Sequence, residues 1–136
     1  MEYSFNQLTT VADCDALLAL AGKEKADLEF KQLSLRRSRD SYLERSTQLN
    51  SDIQVGESEL AALNTVIAGL PEGEIKEDNE NRRTRLQFRL FTLNESLEKY
   101  GSVALLEKEM EMGLVEKQLE ELQLFITALE NRKASL

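Results

Sequence analysis

Leu70-Pro71-Glu72-Gly73-Glu74 lies near the middle of the chain and contains its only proline. A helix does not continue through proline, the residue before proline avoids the helical region, and the flanking Gly69 and Gly73 tolerate positive φ. The preceding helix is therefore predicted to stop near Gly69. Glu74, Glu77, Asp78 and Glu80 follow at once. Their negative charge suits the exposed N–H groups and the macrodipole at the start of the next helix. A connection this short joins antiparallel neighbours, so the stretch predicts a helical hairpin with its turn over about 70–75.

On the N-terminal side, Tyr3, Phe5 and Leu8 form a lead-in with no sustained period, which packs or frays. Thr10-Val11-Ala12-Asp13 has capping-box spacing, and Val11, Cys14, Leu17, Leu18 and Ala21 then share one helical face. These residues predict a short helix over about 11–21, with Gly22 ending or bending it. A long helix is expected over about 23–69. Leu28, Leu35, Tyr42 and Leu49 recur every seven residues there, with Gln32, Arg39 and Ser46 at the alternate sites. Beyond them Leu49, Ile53, Leu60, Leu63, Ile67 and Leu70 keep coiled-coil spacing, with Gly56 in one slot. The half nearer the turn is expected to pack better.

A second long helix is expected over about 76–134. Leu86, Leu90, Leu93, Leu97 and Tyr100 make one seam; Leu105, Met112, Val115, Leu119, Leu122, Ile126 and Leu129 make another, out of frame with it. The slip falls at Gly101-Ser102, which predicts either a kink or a local change of supercoil. The fold class is thus all-α: a long antiparallel helical hairpin of coiled-coil type with a short N-terminal helix, in one domain over 1–136, assembling into a helical bundle. The N- and C-terminal segments should meet at the end away from the turn.

Seventeen basic and 25 acidic side chains give a net charge of −8. That balance opposes a phosphate backbone or an anionic lipid surface, so neither nucleic acid nor membrane is an expected partner. No apolar run reaches membrane-spanning length, and a cytoplasmic location is expected. Cys14 is the one cysteine and histidine is absent, which leaves no Cys-His nucleophile and no set of zinc ligands. Cys14 reads as a small core residue. The sequence has no phosphate-binding glycine loop, calcium loop or nucleophile elbow. Its carboxylates spread along charged helices instead of pairing in an apolar pocket. No catalytic residue, metal site or cofactor is expected, and the chain does not read as an enzyme.

Residues equidistant in number from Gly73 should lie side by side. Arg36, Arg37 and Arg39 then face Glu107, Glu109 and Glu111, and Arg82, Arg83, Arg85 and Arg89 run along Glu57 and Glu59. Both arginine clusters read as ion pairs that set the register. Apolar residues on the opposite faces are more informative. At about 100° per residue, Phe30 and Leu33 point away from Leu28 and Leu35, and Leu106, Met110 and Leu114 point away from Leu105 and Met112. Val55, Phe88 and Phe91 form a second such set. These eight residues are the expected subunit interface of a homodimer, since a lone hairpin buries only one narrow stripe per helix.

The expected function is accordingly a non-enzymatic structural or interaction protein that pairs with itself and with an unidentified protein. The two-helix arm also resembles the arms of prefoldins. That resemblance covers the hairpin alone and implies a holdase chaperone; prefoldins add β-hairpins, and no β-rich run occurs here. The arm is similar as well to the tRNA-binding arm of seryl-tRNA synthetases, a role that the acidic balance opposes.

Overall fold

The computed structural model describes all residues from Met1 to Leu136. A 3-10 turn at Phe5–Gln7 precedes three helices: α1 (Val11–Gly69), α2 (Glu74–Lys99) and α3 (Ser102–Ala134). There is no strand, and the long helix packs with the helices that follow it. The chain forms two compact units. Residues Arg39–Leu106 make the turn unit, and Met1–Ser38 with Glu107–Leu136 make the terminal unit.

A short helix over about 11–21 was expected to end or bend at Gly22 before a long one over about 23–69; α1 is a single helix of 59 residues that runs through Gly22. The reason lies in its phase. From Cys14 through Leu18, Ala21, Lys25 and Leu28 to Leu70, the residues turned from solvent follow an unbroken alternation of four- and three-residue steps. Gly22 is exposed and off this seam. The weak helix preference of one glycine, about 1 kcal/mol, is small against a continuous buried stripe. Thr10 caps the start, its Oγ1 accepting the Asp13 N–H at 3.1 Å.

In the turn unit α1 stops at Gly69 as the proline requires, and the Leu70 N–H closes the end onto the Ile67 carbonyl at 3.2 Å. Gly73 has φ 151°, a conformation open to glycine and strained for any L side chain. The next residue, Glu74, already begins α2, slightly before the expected 76. The Glu77 N–H reaches the Gly73 carbonyl at 3.1 Å, and Glu72 accepts from Lys76 at 2.8 Å. Leu49, Ile53, Leu63 and Ile67 of α1 are buried with Leu90 of α2. Gly56 explains itself here: a Cβ at that position would lie 2.7 Å from Leu90 Cδ2. The leucine occupies the space that the missing side chain leaves. Tyr42 and Tyr100 pack edge to face, with ring centroids 5.1 Å apart.

The second arm is interrupted where its seam changes frame. α2 ends at Lys99 and α3 begins at Ser102. A Cβ on Gly101 would stand 2.9 Å from the Leu97 carbonyl oxygen, so this close approach of backbone to backbone admits glycine alone. Before the break the shielded residues run Arg83, Leu86, Leu90, Leu93, Leu97 and Tyr100; after it they resume at Ala104 and Leu105, and from Leu105 pass through Met112, Val115 and Leu119, one residue out of phase.

In the terminal unit α1 and α3 run antiparallel. Lys25 Nζ donates to Gln123 Oε1 at 3.0 Å, and Lys133 pairs with Asp15. Cys14, Ala21, Leu35, Val115 and Leu129 are its buried residues, and Cys14 is wholly enclosed, as a small core residue should be.

Substitution at the two constrained glycines of the turn unit has an expected cost. Gly56→Val forces Leu90 out of its place and lowers stability by about 1 to 3 kcal/mol. Gly73→Ala, strained at its φ, costs on the order of 1 to 3 kcal/mol. Urea unfolding followed by circular dichroism measures both, against Gly69→Ala, which adds a Cβ that meets nothing within 4 Å.

Candidate interaction surface

Helices whose stripe is one seam wide leave most of their circumference to water, and large apolar side chains on that circumference are the molecule's unpaired chemistry. All eight residues expected at a subunit interface are exposed: Phe30, Leu33, Met110 and Leu114 in the terminal unit, and Val55, Phe88, Phe91 and Leu106 in the turn unit. Phe30 is 73% exposed and Phe88 71%. In the terminal unit Phe30 lies opposite the buried Ala21 on the α1 wheel, and Met110 and Leu114 stand one turn apart on a flank of α3.

That flank of α3 continues into residues that are covered. The N-terminal lead-in lies on it: Tyr3, Phe5 and Phe125 form a ring cluster with centroids 4.9 to 5.5 Å apart. Tyr3 donates its hydroxyl to Glu121 Oε1 at 2.7 Å. Arg132 holds the Leu8 carbonyl through Nε and Nη2, at 3.0 and 2.8 Å. The lead-in thus packs instead of fraying, and it covers Phe125 while Met110 and Leu114 stay open. A shallow groove of about 400 Å³ lies beside it, lined in part by Tyr3, Leu28, Leu122 and Phe125.

Sequence reading missed other open apolar side chains, among them Leu20, Val66, Ile75, Val103 and Leu124. Leu124 was recoverable, because it stands between the seam residues Leu122 and Ile126 and so points outward. Val103 follows the frame slip at Gly101, where neither seam assigns it a face.

Several of the arginines differ from expectation. Arg83 donates to Asn64 Oδ1 at 3.2 Å, and Arg82, Arg85 and Arg89 form no ion pair with Glu57 or Glu59. Neither Arg36 nor Arg37 is ion-paired. The register is right, since Gly56 meets Leu90 and Asn64 meets Arg83, but the arginines on the outer side of α2 have turned to solvent. Several pairs that do form are local, such as Lys25–Glu29, Lys76–Glu72 and Lys117–Glu120.

No group of three or more histidine, cysteine, aspartate or glutamate side chains is placed to hold a metal ion, and no helix is long and apolar enough to cross a membrane. The chain matches no protein-family model, no curated protein and no solved structure.

Titration of Tyr3 reports the docking of the lead-in. Its hydrogen bond to Glu121, with a lesser contribution from burial, raises its pKa above the ordinary 10.0. A raised pKa in the fold means that this contact stabilises fully below pH 10.0 and is lost as pH rises through the Tyr3 value. Absorbance titration of the tyrosines should show Tyr3 ionising late, and Glu121→Gln should move it toward the ordinary value.

Proposed function

We propose that this chain is a non-enzymatic interaction protein, a helical hairpin that pairs with a second copy of itself and offers its remaining surface to another protein. The observation that carries this reading is the exposure of large apolar side chains on the outer faces of the helices, Phe30 and Phe88 foremost. Each such side chain, once buried, contributes about 1.5 to 3 kcal/mol, whereas ordering each residue of backbone costs about 1 to 2 kcal/mol. A second copy laid against such a face buries it and builds toward a helical bundle. The acidic balance supports a protein partner over nucleic acid or an anionic membrane, and a cytoplasmic setting accords with a single enclosed thiol.

A holdase role is the second reading. The groove beside Tyr3, Leu28, Leu122 and Phe125 supports it, since an open apolar channel fits an unfolded segment. Suppression of aggregation of an unfolded client by stoichiometric protein supports this reading, and no effect at excess disposes of it.

Sedimentation equilibrium tests self-association. The wild-type chain is expected to be dimeric at tens of micromolar. Phe30→Ser with Met110→Ser should weaken the dimer by about 1.5 to 3 kcal/mol per buried side chain while far-UV circular dichroism keeps its helical form. A monomeric wild type refutes the dimer, and an unaltered dimer in the double variant refutes a contact at these residues.

A further inference from the structure

The outer face of α2 carries a pattern that the interior of the molecule does not use. Glu74, Asp78, Asn81, Arg85, Phe88 and Thr92 advance by alternating four- and three-residue steps, the spacing of a coiled-coil seam, and every one of them is exposed. Their charges are segregated. Glu74 and Asp78 precede Asn81, whereas Arg85 follows it and Arg89 flanks the same stripe; no acidic residue occurs between Glu80 and Glu95. Neither Arg85 nor Arg89 has an ion-pair partner within the chain.

The blocks are self-complementary about the Asn81–Arg82 peptide bond. Glu74 and Arg89 are equidistant from it, and so are Asp78 and Arg85. Two copies of the stripe laid antiparallel about a two-fold axis at that point set each carboxylate of one against a guanidinium of the other, twice over by symmetry. A parallel arrangement sets acid on acid and base on base. An anionic polymer attracted to Arg85 and Arg89 would meet Glu74 and Asp78 on the same face, so the pattern favours a second copy over a phosphate backbone.

We infer that the turn unit self-associates through α2, antiparallel, with Glu74 and Asp78 of each chain facing Arg89 and Arg85 of the other. The inference rests on the self-association proposed above and gives the turn unit a contact of its own, distinct from the one tested at Phe30 and Met110, with its direction and register. Exposed ion pairs supply little affinity individually; their part is to select the direction and the register, while Phe88 in the same stripe supplies apolar contact.

Sedimentation velocity of the full chain tests it through charge exchange. Arg85→Glu with Arg89→Glu makes the stripe wholly acidic, and Glu74→Arg with Asp78→Arg makes it wholly basic. Each variant alone should self-associate about thirtyfold more weakly than the wild type, from exposed pairs lost and like charges opposed. An equimolar mixture of the two should form a heterodimer of wild-type strength, which also shows that both are folded. A mixture no tighter than its components overturns the antiparallel contact and leaves pairing through other faces standing, whereas a monomeric wild type overturns both. Direction is read independently by oxidation in a Cys14→Ser background. Asn81→Cys, beside the axis, should crosslink two chains, and Glu95→Cys, far from it, should not. Equal crosslinking at both positions overturns the antiparallel direction.

Discussion

The structure depends on a single requirement: a helix with an apolar stripe one seam wide is stable in water only when that stripe is covered. In α1 the stripe runs from Cys14 to Leu70 without a change of phase, and each unit supplies its own cover, α2 in the turn unit and α3 in the terminal unit. Polar residues stand in the stripe at Lys25, Gln32, Arg39 and Ser46. Long polar side chains suit such a stripe because their methylene stems are apolar, and Lys25 carries its ammonium to Gln123. The cost of so narrow an interior is that large apolar side chains off the seam, such as Phe30, Phe88 and Leu106, have no place in it.

Much of this could be read from the residues, and the exceptions share a cause. Pro71 with its flanking glycines marks the reversal, and the shift between the Leu86–Tyr100 seam and the Leu105–Leu129 seam marks the break at Gly101. Periodicity carries both, and periodicity is a property of the chain alone. Gly22 stands open between an end and a bend when its local preference is weighed alone; counted from Cys14 to Leu35, the seam passes it undisturbed. The role of Gly56 lay beyond any single-helix pattern, because the reason for it is Leu90 on another helix. The lead-in is similar: Tyr3 and Phe5 have no period, and their place on Phe125 is decided by tertiary contact.

Charge was the least readable feature. Residues equidistant from Gly73 do meet, yet Arg85 and Arg89 do not reach across to the carboxylates placed opposite them by number. Backbone register brings two residues to the same height without deciding which way a long side chain turns. On a surface helix the gain from an exposed pair is comparable with the side-chain entropy lost in making it. The eight apolar residues of the expected interface were easier, since a side chain opposite a buried seam has nowhere to go but outward.

The unbroken phase of α1 also bears on how the chain can vary in length. A residue lost from its interior turns everything beyond by about 100°, so that seam positions become surface positions and leucines are traded for charged neighbours. The junction at Tyr100-Gly101 is different, because helix geometry is already interrupted there and the frame already shifts by one residue. Insertions and deletions are therefore absorbed at that junction and refused within α1. The molecule behaves as a ruler on one side and a splice on the other.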